Sequence, residues 1–327
     1  MTDRRTLYLH IGVHRTATTA IQAAMARNWE LLRNNGFLYP YRVERHIGVF
    51  NDIFSGRTDA RTVGKDLVRR AANHPNEIHT LVMSDEDVSM REDLGPLQAL
   101  ADSFDVKVIF AMRRQDLWLE SWWAQNVKGQ WDRRYCHKSW PDFIRDRKDF
   151  HWIDYHNYIN HIESVFGVGS VRPYVFERSQ MPDGPIAEFC KQFGFTKTRK
   201  LSAAGGSNIS LTPEVSEFVR QLPLIEAPMK LRLKLIEIAE SVDREIRKEN
   251  PALLMIPHAE RVGIMKEYQE GNDAVAKRFF ARDKLFLEPL PSESEKVVQP
   301  ALPQDSYTAS QRLFGPFIGE LIRQLKN

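Results

Sequence analysis

Apolar residues along this chain gather into short, strand-length blocks separated by stretches with helical spacing. Thr6-Leu-Tyr-Leu-His-Ile11 ends at Gly12 and reads as a buried strand. Ile78-His-Thr-Leu-Val-Met83 is a second block, followed by the acidic run Ser84-Asp85-Glu86-Asp87. Val106–Met112 is a third, followed by Arg113-Arg114. A fourth, Ser170–Phe176, contains Pro173, which cannot donate to a ladder and so either argues against a strand here or places it at a sheet edge. Between the blocks, the spacing of Ile21, Met25, Trp29 and Leu32 predicts one helix from Thr18 to Arg33, stopped by Asn34-Asn35-Gly36. Further helices are predicted over Asp116–Asn126 and Asp154–Phe166.

The strand signal fades after about Gly206. Thr212-Pro213 is a good helix start, because proline at the first helical position gives up only an N–H that would be unpaired anyway. Lys230–Lys248, Arg261–Arg282 and Ser310–Leu325 carry helical patterns, the last reached through an exposed linker from Pro289 to Ser306. Strands alternating with helices predict a mostly parallel α/β sheet with helices on its faces. The expected organisation is therefore an α/β core over residues 1–205 with a helical C-terminal lobe over 206–327 packed on it, the two forming one structural domain.

Composition narrows the function classes. With 327 residues, 42% hydrophobic and 27% charged, the chain can bury a sizeable core and is not of disordered type. A net charge of +3 is too small to indicate nucleic acid, and the short clusters Arg145-Asp-Arg-Lys148 and Lys197-Thr-Arg-Lys200 read as solvated faces. Cys136 and Cys190 are the only cysteines, so neither a disulfide framework nor a zinc site follows. No apolar run reaches the roughly 18–20 residues that cross a bilayer. Met1–Arg5 is not followed by a signal-peptide apolar core, so the default location is cytoplasmic.

The loop between the first strand and the first helix carries the chemistry. Gly12-Val13-His14-Arg15-Thr16-Ala17-Thr18-Thr19 combines one cation, Arg15, with three hydroxyls and a helix N-terminus, a set suited to an anion such as phosphate. It lacks the Gly-Lys pair of the nucleotide P-loop. Arg15-Thr16-Ala17-Thr18-Thr19, followed by Ala20-Ile21-Gln22, resembles the 5′-phosphosulfate loop of PAPS-dependent sulfotransferases of bacterial type, usually Lys-Thr/Ser-Gly-Thr-Thr. PAPS is 3′-phosphoadenosine 5′-phosphosulfate. Two residues depart from the pattern: Arg15 stands where Lys is usual, and Ala17 where Gly is usual.

The resemblance extends to a second motif. In that family a strand-end Arg and a helix Ser eight residues later grip the 3′-phosphate, and Arg113 and Ser121 stand at that spacing. Taken alone, Arg113 also reads as an ion-pair partner of Asp116 or Glu120. Fainter echoes lie at Val82–Glu86, Val171–Glu177 and Asn272–Phe280. The family implies a P-loop-like α/β fold and sulfuryl transfer from PAPS, with no metal required. The implied acceptor is a hydroxyl or amine of a carbohydrate, lipid or small molecule.

Sulfuryl transfer needs a cation on the developing charge and a base for the acceptor's proton. Arg15 is the candidate cation. His46 is the first candidate base, since an imidazole titrates near neutral pH and related bacterial sequences tend to carry one there. Glu86, at a strand end, is the second, and His14 is expected to point beside the phosphates. Six of the seven tryptophans lie between residues 118 and 152, some as core and some available to stack on an acceptor. Two other readings stay open. One is a P-loop-type kinase or NTPase with Asp85 holding Mg²⁺, which the missing Gly-Lys counts against; the other is a nucleotide-binding relative without turnover.

Overall fold

The computed structural model describes residues 4–202 and 210–326. The strands are β1 (Thr6–His10), β2 (Phe37–Leu38), β3 (Thr80–Ser84), β4 (Asp105–Met112) and β5 (Val171–Val175). The helices that matter below are α1 (Thr18–Arg27), α2 (Trp29–Arg33), α3 (Ile47–Phe54), α4 (Ala60–Ala72), α5 (Gln115–Gly129), α6 (Trp140–Arg145), α7 (Tyr155–Phe166) and α8 (Pro185–Gln192).

The chain divides into two compact units, each discontinuous in sequence. The first comprises Met1–Arg114, Phe150–Gly206 and Tyr268–Glu288, and the second Gln115–Asp149, Ser207–Glu267 and Pro289–Asn327. The boundary expected near Gly206 lies outside the described residues.

The first unit holds an all-parallel sheet in the order β2-β3-β1-β4-β5. β1 is central, with His10 level with Ser84 on one side and Ile109 on the other. Strand order reverses at β1, and in open α/β sheets ligands gather outside the carboxyl ends at such a point. The segments after β1, β3 and β4 all leave the sheet there.

Both faces of the sheet are covered, as parallel sheets require. Ile109 and Ala111 join the core formed with Ile21, Met25, Phe189 and Cys190 of α1 and α8. Phe110, one residue out of phase, meets the rings of Tyr155 and Tyr158 on α7 at 5.8 and 5.2 Å. β5 is an edge strand, the position that Pro173 demands.

Two departures from the sequence pattern have local causes. The single helix expected over Thr18–Arg33 breaks at Asn28 (φ −101°, ψ 21°). The Asn28 amide donates to the Ala24 carbonyl (2.8 Å), while its oxygen accepts from the Ser202 N–H (3.0 Å). An asparagine that bonds to nearby backbone competes with the helix for it. β2 is only two residues long, below what apolar patterning resolves.

In the second unit the tryptophans are mostly core. Trp118 and Trp122 stack on α5 at 5.6 Å, and both are buried, as are Trp123 and Trp140. Trp152, in the first unit, is buried too. Of the six clustered tryptophans, only Trp131 is exposed, and the Arg232 guanidinium lies over its ring. Asp116 and Glu120 both meet Arg261, whose side chain is fully buried. Glu120 also accepts from the Met255 and Ile256 N–H groups. A buried cation needs such company, since an unpaired one costs several kcal/mol.

Candidate functional site

The loop after β1 is built from left-handed backbone. Gly12 (φ 99°), Arg15 (φ 66°) and Ala17 (φ 62°) all have positive φ. Backbone of this kind forms the concave N–H nests that bind anions. Ala17 is the N-cap of α1 at ψ 22°, with no side-chain cap bond. An L-residue here costs roughly 1–2 kcal/mol, which glycine would avoid. At Gly12 a side chain is excluded for a second reason: a Cβ would sit 3.1 Å from the Glu86 Cβ.

The loop hydroxyls divide by environment. Thr16, fully buried, donates to the Val13 carbonyl (2.5 Å) and holds the loop's shape. Thr18 is buried and Thr19 exposed, both in the first turn of α1.

Two guanidinium-bearing residues meet at this loop. Arg113, just beyond β4, donates from Nη1 to the main-chain carbonyl of Arg15 (2.8 Å). Tyr155 fixes the Arg113 backbone through hydrogen bonds with both its N–H and its carbonyl. Burial, followed by the like charge of Arg113, brings the Arg15 guanidinium down to about 10. Cations held together in a partly buried place favour an anion between them.

The turn after β3 is locked to the same loop. His14 Nε2 lies 2.8 Å from the Asp87 carboxylate. The Gln22 amide, from α1, donates to Glu86 Oε2 (2.5 Å) and to the Ser84 hydroxyl (3.1 Å). The Ser84 hydroxyl in turn lies 2.8 Å from His10 Nδ1. Arg45 gathers the acids from outside, 2.6 Å from both Asp85 and Asp87 and 3.5 Å from Glu86. Burial pushes the Asp85 carboxyl up to about 6 against the pull of Arg45. At Asp87 burial acts the same way, but His14 and Arg45 outweigh it and hold that carboxyl below its ordinary range.

His46 sits elsewhere in this arrangement than its residue type suggests. It is 1% exposed, and both ring nitrogens are engaged by main chain. Nδ1 accepts from the Ser84 N–H at 3.0 Å, so Nε2 carries the proton and donates to the Pro40 carbonyl at 3.0 Å. Burial lowers its pKa to about 4, more strongly than these bonds raise it. The ring therefore clamps the segment after β2 to the end of β3. Glu86, though 7% exposed, lies against Gly12 of the loop after β1.

Ser121 is buried on α5, in the second unit, whereas Arg113 belongs to the first. Their pairing remains an expectation from spacing. Arg45, Gln22 and Asp87 were not selected as site residues from the sequence. Arg45 is next to His46 in the chain, but only the fold shows which of the two faces the acids.

Asp85, which a kinase reading would place on Mg²⁺, is 1% exposed, bound by Arg45 and caps the following turn through the Asp87 N–H. No helix among the described residues is long and apolar enough to cross a membrane.

No family model matches the chain. An uncharacterized protein of Archaeoglobus fulgidus is 22% identical over 184 residues, covering 55% of this chain and 48% of that protein. The match thus spans about half the length of that relative. Among solved structures, a sulfotransferase from Alicyclobacillus acidocaldarius matches over 70% of this chain and 98% of its own, with a TM-score of 0.40 and 14% identity. A likeness of this depth says nothing about donor or acceptor.

Proposed function

We propose that this chain is a sulfotransferase that moves a sulfuryl group from PAPS to a hydroxyl or amine acceptor. The observation that carries the reading is the meeting of Arg113 with Arg15 at a left-handed loop before a helix N-terminus, at the reversal point of a parallel sheet. Two guanidinium groups, loop N–H groups and a helix end fit a ligand with phosphate-type charge at more than one place. Arg15 and the loop of Gly12, His14, Thr16, Ala17, Thr18 and Thr19 would hold the phosphosulfate, and Arg113 with Ser121 the 3′-phosphate.

PAPS supplies an activated sulfuryl group whose leaving bisphosphate is a weak base. Arg15 therefore serves by neutralising charge on the departing oxygen rather than by giving a proton. The acceptor atom bonds to sulfur as the sulfur–bridging-oxygen bond breaks, and its proton passes to a base. We assign that role to Glu86 rather than His46, whose nitrogens are both committed to main chain. Gln22 is the positioning residue, holding one carboxylate oxygen so that the other can face an acceptor. Acceptors with a hydroxyl or amine on a carbohydrate, lipid or small molecule all meet this requirement.

Titration calorimetry with adenosine 3′,5′-bisphosphate tests the proposal. Binding is expected to be at least tenfold tighter than that of AMP, which lacks the 3′-phosphate. Equal affinity for the two, or no binding of either, would remove PAPS as donor.

A further inference from the structure

We propose that the first unit carries a second binding site, separate from the loop after β1, that takes a small organic oxyanion on a ring-sized body. It lies beside the edge strand β2, in a pocket of about 460 Å³ between α2, the segment after β2 and the last turn of α4. That volume suits a sugar or aryl compound bearing a sulfate, phosphate or carboxylate.

The pocket carries an excess of positive charge. The pocket is lined by Arg33, Arg42, Arg69 and Arg70. Arg69 and Arg70 share one carboxylate, Asp66, which also accepts from the Tyr41 hydroxyl. Neither Arg33 nor Arg42 meets a carboxylate among the described residues. Both instead lie over the Trp29 ring, at 4.7 and 4.2 Å from its centroid. Two guanidinium groups on one indole repel each other, and the ring's quadrupole returns only part of that cost.

The pocket also holds an unmet donor. Arg33 Nε is buried with no hydrogen-bond partner among the described residues. A buried N–H left unpaired costs about 1–3 kcal/mol, which an acceptor oxygen in the pocket would recover. The neighbouring His74 imidazole is held below its ordinary pKa by burial and by Arg33, in keeping with the local cation excess.

Backbone strain marks the rim. Tyr41 (φ 65°) and Arg42 (φ 54°) are consecutive non-glycine residues in the left-handed region. Each costs of order 1–3 kcal/mol, and such residues cluster at ligand clamps. The strain turns the Tyr41 ring, itself beneath the Arg70 guanidinium, and the Arg42 side chain into the pocket lining. Trp29 and Tyr41 provide flat faces for a ring, and the arginines provide forked donors for an oxyanion.

The test uses phenyl phosphate and glucose 6-phosphate as ligands, with phenol and glucose as neutral controls. Binding is read from the Trp29 indole N–H resonance, assigned by its loss in Trp29→Phe. The phosphates should shift the resonance saturably and the neutral compounds should not. Arg42→Ala, at an exposed position that leaves the fold intact, should weaken phosphate binding at least tenfold, and Arg33→Ala should do the same. Arg15→Ala should leave it unchanged, so failure of the donor-site reading does not touch this one. A resonance unmoved by either phosphate overturns the proposal. So does an equal response to phenol, or a response lost in Arg15→Ala but kept in Arg42→Ala.

Discussion

Arg113 hydrogen-bonds through its guanidinium to the main-chain carbonyl of Arg15, 98 residues earlier in the chain. This contact sets a strand-end guanidinium against the loop after β1, where the proposed 3′-phosphate would meet it. Replacing Arg113 by Ala is expected to weaken adenosine 3′,5′-bisphosphate about tenfold to a hundredfold, the worth of one charge-assisted contact. AMP should lose less, and calorimetry on both ligands reads the difference. Equal losses would mean that Arg113 only shapes the loop.

Ala17 occupies a left-handed N-cap where glycine is unstrained. Ala17→Gly is expected to stabilise the protein by about 0.5–1 kcal/mol, the relief of strain less the extra chain entropy of glycine. Thermal melting should show a rise of a few degrees, and ligand binding should be kept or improved. A lower melting temperature would mean that the methyl group packs in a way that offsets its strain.

Glu86 and Gln22 divide the work at the proposed base. Glu86→Gln should lower turnover a hundredfold to ten-thousandfold with cofactor affinity nearly unchanged. Gln22→Ala should lower it less, and Gln22→Glu, which sets two carboxylates together, should shift the pH profile upward. An active Glu86→Gln enzyme would return the base to another residue.

His46 should report on stability instead. Its folded pKa of about 4 lies below the unfolded value of 6.5, so between these pH values the unfolded chain binds the extra proton. Its contribution is fully present above pH 6.5 and is lost as pH falls toward 4. Asp85 titrates in the same window in the opposite sense, from 3.8 unfolded to about 6 folded, so slopes rather than absolute stabilities should be compared. Urea unfolding at several pH values should show that the wild-type slope exceeds that of His46→Gln by up to one proton, about 1.4 kcal/mol per pH unit. His46→Gln should be less stable at pH 7, because the Ser84 N–H and Pro40 carbonyl lose their partner. Parallel slopes would show that the ring is not a buried neutral group.

Short-range pattern was enough to find four of the five parallel strands, all but the two-residue β2, since a strand buried on both faces must be apolar along its length. β4 follows from the apolar run Val106–Met112, with Arg113 just beyond it, and Pro173 allowed β5 only as an edge strand, which is where it lies. The loop of Gly12 to Thr19 between β1 and α1 was legible for the same reason: these residues are neighbours in the chain, and a strand–loop–helix makes its own N–H cluster. What the sequence could not decide is which side chains from distant segments share one place. His46 and Glu86 look alike as bases in a linear reading, and only the packing of Pro40 and Ser84 around the imidazole uses up both its nitrogens. Arg45, Gln22 and Asp87 acquire their roles from contacts across 40 to 73 residues of chain. Asp116 and Glu120 likewise meet Arg261, 145 and 141 residues away. Local sequence determines backbone conformation because its energetics are local. A buried charge is settled by whichever partner the fold brings within about 3 Å, and that is a property of the tertiary structure.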